Sequence, residues 1–383
     1  MLNRPLRLLF AVSQFAQGGA ERYLYELCSA LDRTRFDVHI LTRSDVDRSA
    51  YYFDRLVSAR VPIHAIRPHV PDLQRYAHRW GRRRAYRTMR HRLSSILAAR
   101  RVGTFVDGFD IVACIQIENF LELQGLLSRQ QGTIIHAMSN RFQYSYDPYD
   151  EFRPDVRYRF VTFDRSQTEE LHALPCADVF EWPLSMNFGE YPCLPAVQDP
   201  SSAVKIGIFT RLSREKPLEP LFVCFKELTQ RIDATLHVYG GGDPSIFTLA
   251  LNRLGIRSRV IFEGHQPDMI ATVRRDALSM CWLMSVGTLL GYSSIELAAT
   301  GMPMLFWNYG TWSTSRIAAE THGAVHSFAS VAEFVDAAVS YLSDRELLRQ
   351  LGSSLQRYVR RRHDINKNIG AIQEYYERVA FDR

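Results

Sequence analysis

Lysine is nearly missing from this chain. Only Lys205, Lys216, Lys226 and Lys367 occur among 47 basic residues, so arginine carries almost all of the positive charge. Long apolar runs are missing too: none approaches the ~18 residues of a membrane span. The six cysteines form no C-x-x-C pair, and no H-E-x-x-H or comparable spacing occurs. That argues against a structural zinc or a disulfide framework and predicts a protein that works without a metal or a cofactor. The opening stretch MLNRPLRLLFAVSQF lacks a small-residue cleavage site and reads as a first strand, not a secretory signal. Together with the cysteine usage, this predicts a cytoplasmic location.

What is present is ordinary globular composition, with 46% hydrophobic and 23% charged residues, which excludes disorder and collagen-like repeats. A length of 383 residues suggests two domains. Short apolar runs at Leu6–Ser13, Phe36–Thr42, Val61–Ile66, Asp110–Gln116, Thr133–Met138 and Arg159–Phe163 read as buried strands. Amphipathic stretches separate several of them; one has Leu24, Leu27, Cys28 and Leu31 at helical spacing. The pattern lapses between Leu184 and Ala203, where Pro192, Pro195 and Pro200 mark an interdomain linker. It then restarts with strands at Val204–Thr210, Ala234–Tyr239, Val260–Glu263, Leu278–Met284 and Met304–Trp307. Helices are expected at Glu219–Arg231, Ile246–Leu254, Ser294–Thr300, Val331–Leu342, Asp344–Arg361 and Asn366–Val379. Such alternation predicts an α/β fold of two doubly wound, Rossmann-like parallel sheets facing a cleft, with ligands beyond the carboxyl ends of the strands.

Three turns carry chemistry. Gly18-Gly19 stands where a strand meets a helix, and glycines there let a ligand approach the helix N-terminus. A plain tight turn would look the same. Arg211 and Lys216 follow the first strand of the second half and are spaced to clamp a diphosphate and neutralise a leaving group. Glu296 lies near the start of a helix opened by Gly291, where a carboxylate can accept hydrogen bonds from a vicinal diol such as ribose. Asp45-Val46-Asp47 has the D-x-D form of a metal-dependent transferase but stands alone and reads as a chance match.

Taken together, G-G-A-E-R, R-L-S-R-E-K-P, Y-G-G-G-D, I-F-E-G-H and G-Y-S-S-I-E-L-A-A-T-G-M-P resemble, in order and over nearly the whole chain, the family-4 retaining glycosyltransferases of GT-B architecture. The resemblance implies an acceptor-side domain over 1–190, a nucleotide-sugar domain over 200–365, and a helix over 366–383 that crosses back to the first domain. It also implies roles. Gly18 and Gly19 would face the donor diphosphate and the acceptor, Arg211 and Lys216 would hold the diphosphate, and Glu296 would bind ribose. Gly264 would lie by the nucleobase and Gly291 beside the donor. His136 ends the strand T-I-I-H, where the family often has a His near the donor sugar; it could equally cap the strand. One position departs from the pattern. Eight residues before Glu296 the family usually has a carboxylate by the donor sugar, and here Thr288 stands, with one hydrogen-bonding hydroxyl and no charge.

Residues 73 to 106 hold ten Arg, two His and no acid. Met89, Leu93, Ile96 and Leu97 mark an apolar face, while Arg82, Arg83, Arg84 and Arg87 crowd the rest. This suits either contact with an anionic membrane surface or a solvated helix face, and does not suggest nucleic-acid binding. The expected function is metal-independent transfer of a sugar from a nucleoside diphosphate, with retention, to a lipid-linked saccharide, polysaccharide or small-molecule acceptor. The alternative is a non-catalytic relative that binds a nucleotide or glycan as a partner subunit.

Overall fold

Parallel strands joined by helices dominate the computed structural model, which describes residues 4–67, 102–127, 132–139, 147–189, 191, 204–213, 216–285, 290–308 and 312–382. Arg82, Arg83, Arg84, Arg87 and Thr288 lie outside the described residues. The chain divides into two compact units, Met1–Met186 with Ile365–Arg383, and Asn187–Asp364.

The first unit is built on seven strands: β1 Leu6–Ala11, β2 Phe36–Arg43, β3 Ile63–Arg67, β4 Ile111–Ile115, β5 Gly132–His136, β6 Tyr158–Thr162 and β7 Ala177–Glu181. Their order is β3-β2-β1-β4-β5-β6-β7 and every pairing is parallel. Helices α1 Gly19–Ala30, α2 Tyr51–Ser58, α3 Val102–Val106, α4 Ile117–Leu123 and α5 Arg165–His172 follow strands in this unit. β1 and β4 are apolar and buried throughout save Arg7, as strands covered on both faces must be. β7 escapes the sequence reading because Ala-Asp-Val-Phe-Glu has no apolar run; it is a half-buried strand at the sheet edge.

The second unit repeats the plan with β8 Val204–Phe209, β9 Ala234–Tyr239, β10 Val260–Gly264, β11 Met280–Ser285, β12 Met304–Asn308 and β13 Ser327–Phe328, in the order β10-β9-β8-β11-β12-β13. Its helices are α6 Glu219–Leu228, α7 Thr248–Leu254, α8 Met269–Asp276, α9 Tyr292–Ala299, α10 Thr314–Glu320, α11 Val331–Ser343 and α12 Arg345–Arg362. Trp282, fully buried on β11, is packed edge-on by Phe225 of α6 and Phe334 of α11. The helix expected from Ile246 starts later, because Pro244–Phe247 forms a 3₁₀ turn capped by Asp243.

In both units the strand order reverses beside the first strand, between β1 and β4 and between β8 and β11. Loops diverge at such a switch point and leave room for a ligand at the carboxyl ends. The last helix, α13 Ile365–Phe381, belongs to the first unit. Its Tyr376 is fully buried against Phe10 of β1 and Phe36 of β2, and Arg35 reaches Gln373 and Glu377.

Two helical glycines give opposite predictions. A Cβ on Gly352 of α12 would fall 2.0 Å from the carbonyl oxygen of Gly301, so Gly352→Ala forces α12 off the turn after α9. It should cost about 1–3 kcal/mol. A Cβ on Gly370 of α13 meets nothing within 4 Å. Gly370→Ala should therefore stabilise by about 0.5–1 kcal/mol. Urea midpoints of the two variants read both signs.

Candidate functional site

Beside the switch point of the second unit, β8 and β9 stay paired beyond their strand ends. Thr210 N–H donates to Tyr239 O at 2.9 Å and Leu212 N–H to Gly241 O at 2.8 Å, with a further parallel bridge from Leu212 to Gly242. This contact explains the glycines of Y-G-G-G-D. A Cβ on Gly240 would lie 1.7 Å from Thr210 O, and one on Gly242 would lie 2.1 Å from Leu212 O. Both have φ in the positive region, +150° and +125°. The glycines thus let one loop rest on the other and hold Arg211 exposed at the carboxyl edge. Lys216 is half-buried on the same loop, its N–H donating to Ser213 O at 3.0 Å. Gly264 ends β10 at φ +72°, and its carbonyl accepts the N–H of Gly240 at 2.9 Å, so it supports that loop from behind.

On the other side of β8, Gly291 is the N-cap of α9, and its carbonyl receives the N–H groups of Ser294 and Ile295. Glu296 is half-buried in the second turn. The hydroxyl of Tyr191 donates to its Oε1 at 2.6 Å. Arg211, Lys216 and Glu296 are therefore all carried by loops or a helix at the carboxyl end of one sheet.

In the first unit, Gly18 caps α1 and Gly19 begins it. A Cβ on Gly18 would come 2.4 Å from Oε2 of Glu21, a buried side chain that folds back over the helix start. A carboxylate suits that positive end. A diphosphate in the same place would meet a like charge, whereas a hydroxyl would find an acceptor.

His136 is placed differently from the expectation of a donor-facing group. It has no exposed surface; its Nδ1 is bonded to the Tyr23 hydroxyl at 2.8 Å and its Nε2 to the Tyr376 hydroxyl at 3.2 Å. Burial pushes its pKa down to about 3. It is a neutral core group tying α1, β5 and α13 together, and presents no atom to a ligand. Other titratable groups are similarly quiet. The thiols of Cys28, Cys114 and Cys224 are pushed up to about 12 by burial, which keeps them protonated. Asp45 pairs with Arg43, while Asp47 accepts from the N–H and hydroxyl of Ser49, so the D-x-D motif shapes a turn. Among the described residues no group of three or more His, Cys, Asp or Glu is arranged to hold a metal, and no helix is long and apolar enough to cross a membrane.

Two features escaped the sequence reading. Arg67, at the end of β3, has its side chain 1% exposed, and its Nη2 donates to Val12 O, Ser13 Oγ and Asn119 Oδ1 at 2.9–3.0 Å. It thereby ties the ends of β1 and β3 to the first turn of α4. Gln116, between β4 and α4, has φ +76° and ψ 149°, a conformation that strains any residue but glycine. Nothing local in the sequence distinguishes either residue.

The fold and the turns are those of a known group. Residues 17–143 match the family model described as Glycosyltransferase Family 4, and 203–344 that of Glycosyl transferases group 1; together they take in well over half of the chain. The chain belongs to the family-4 glycosyltransferases. No curated protein matches it in sequence. Among solved structures, it is similar to HepE of Anabaena in complex with UDP and glucose, at 14% identity and a TM-score of 0.69 over 97% of this chain and 99% of that one. Another structure of HepE holds UDP-glucose. Sucrose-phosphate synthase of Thermosynechococcus elongatus is 15% identical, with a TM-score of 0.67 over 98% and 99% of the two chains. A glycosyltransferase of Rickettsia africae is 12% identical, with a TM-score of 0.70 over the whole of both. At these identities the likeness establishes the GT-B fold.

The buried imidazole gives a pH prediction. His136 takes a proton near pH 6.5 when unfolded but only near pH 3 when folded, so the unfolded chain binds more protons between these values. Stability present above pH 6.5 is lost as pH falls, by up to about 1.4 kcal/mol per pH unit. His136→Gln should remove that part of the slope, read from urea midpoints at pH 7, 6, 5 and 4.

Proposed function

We propose that this protein transfers a sugar from a nucleoside diphosphate to a hydroxyl of a saccharide, lipid-linked saccharide or small-molecule acceptor, with retention at the anomeric carbon. The observation that carries the reading is the placement of Arg211, Lys216 and Glu296 at one sheet edge beside a topological switch point. Glu296 accepts the ribose hydroxyls. Arg211 and Lys216 lie against the diphosphate, where they neutralise the charge that grows as the anomeric C–O bond breaks. The acceptor oxygen bonds the anomeric carbon on the face the diphosphate leaves, and its proton passes to a departing phosphate oxygen. No enzyme nucleophile, metal or cofactor takes part; the nucleotide sugar is itself a substrate. The Gly18–Gly19 turn, with Glu21 over it, is assigned to acceptor hydroxyls in preference to the diphosphate.

HepE supplies the first ligand to try, UDP, since its structures hold UDP, UDP-glucose and glucose. The Arg-rich stretch of Arg82, Arg83, Arg84 and Arg87 gives a second proposal, peripheral contact with anionic lipid on the cytoplasmic face of a membrane, resting on composition alone. Thr288 in place of the usual carboxylate favours a second reading, a nucleotide- or glycan-binding partner subunit without turnover.

Thermal shift against UDP, GDP, ADP and TDP and their sugar conjugates should show stabilisation of about 2.7 kcal/mol at 100 times the dissociation constant. Glu296→Ala should markedly reduce that shift. Lys216→Ala and Arg211→Ala should fold normally and lower turnover about 10²–10³-fold. Near-normal turnover in all three variants would overturn the site. Binding without turnover in the unmodified protein would select the partner-subunit reading.

A further inference from the structure

Tyr191 has no part in the site as read from the sequence. It lies among prolines in the segment that follows Met186, the last residue of the first unit before the chain enters the second. Yet its hydroxyl hydrogen is directed at Oε1 of Glu296, 105 residues away. The rest of Tyr191 is held independently of that bond. Its N–H donates to Phe188 O at 3.1 Å, and its carbonyl accepts from Arg360 Nη2 at 2.5 Å. The same Nη2 bonds Ala299 O, the last residue of α9, at 3.1 Å. The ring meets Phe188 edge-on at 6.5 Å, and the Arg360 guanidinium lies 5.4 Å from the Phe188 ring centroid. α12, α9 and the Phe188 turn therefore fix where the hydroxyl sits, and the hydroxyl holds one oxygen of the carboxylate.

We propose that Tyr191 is the positioning residue that orients the Glu296 carboxylate for a ribose diol, and so sets a preference for ribonucleotides over 2′-deoxyribonucleotides. This rests on the reading of Glu296 as the ribose ligand. A glutamate side chain has three soft torsions, and a hydrogen bond made before the ligand arrives removes part of the ordering cost that binding would otherwise carry. A vicinal diol donates two hydrogen bonds to a carboxylate and needs it in one orientation. A carboxylate has room for about four hydrogen bonds, so the bond from Tyr191 still leaves capacity for two more. Holding the acceptor in place beforehand raises affinity for the ligand that uses it fully. A 2′-deoxyribose makes one of the two bonds and benefits less.

The test compares dissociation constants of UDP, GDP and ADP with those of their 2′-deoxy forms, for the unmodified chain, Tyr191→Phe and Glu296→Ala. Phenylalanine keeps the ring against Phe188, and a melting curve checks the fold. The unmodified chain should prefer the ribo form. Tyr191→Phe should weaken it about three- to tenfold, leave the deoxy form nearly unchanged and bring their ratio close to one. Glu296→Ala should also bring the ratio close to one. Equal weakening of both forms in Tyr191→Phe, no change in either, or tighter binding would each overturn the inference; tighter binding would make the hydroxyl a competitor of the ribose. If Glu296→Ala abolishes the ratio and Tyr191→Phe does not, this inference alone fails. If Glu296→Ala keeps the ratio, or no nucleotide binds the unmodified chain, the ribose reading falls and takes the inference with it.

Discussion

Two parallel strands cannot be joined by a tight turn. Each crossover must return the chain to the starting edge of the sheet, and a helix packed on a face is the shortest way to do so. Both sheets here are parallel throughout, and that constraint arranges everything else. It covers both faces, which is why β1 and β4 are almost wholly apolar. It sends every strand toward the same edge, so the loops with room to vary gather there. Reversal of strand order beside β1 and β8 parts two of those loops at one place in each unit.

Within the second unit the edge is stiffened from below. The loop that holds Arg211 out to solvent rests on backbone, carbonyl against α-carbon, at Gly240 and Gly242. That contact leaves little slack between the cation and the sheet. Glu296 is restrained by a different route, through Tyr191 and Arg360. In the first unit a buried cation, Arg67, does comparable service, joining the ends of β1 and β3 to α4. One terminal nitrogen of that arginine, Nη2, reaches a carbonyl, a hydroxyl and an amide oxygen together.

Much of this was legible in the sequence for one reason: strands buried on both faces read as short apolar runs, and the long connections between them, several with a helical face, cannot be mistaken for hairpins. The restart at Val204, the glycine turns and Glu296 were visible on those terms. What was hidden depends on partners far along the chain. T-I-I-H reads alike whether His136 faces a ligand or a tyrosine 240 residues distant. Y-G-G-G-D reads as a ligand-binding motif, although two of its glycines answer to Thr210 and Leu212. The short edge strands β7 and β13 and the helices α2, α8 and α10, none longer than eight residues, are too short for a periodicity to announce them. Tyr191 sits in a stretch whose prolines mark it as a connection and conceal that one of its residues reaches a functional carboxylate.

The placement of α13 has a consequence for how the chain is made. β1 and β2 leave the ribosome early, but the tyrosine that fills the space between Phe10, Phe36 and His136 is translated only after all of Asn187–Asp364. Until then the first unit has an apolar groove where α13 belongs and an imidazole without one of its hydroxyl partners. The second unit has all its own strands by then and is free to fold as an insertion within an unfinished neighbour. Completion of the first unit is a long-range event, slow in the way that contacts of high sequence separation are slow. During synthesis the open groove is the surface most exposed to misassociation and the one a chaperone would cover.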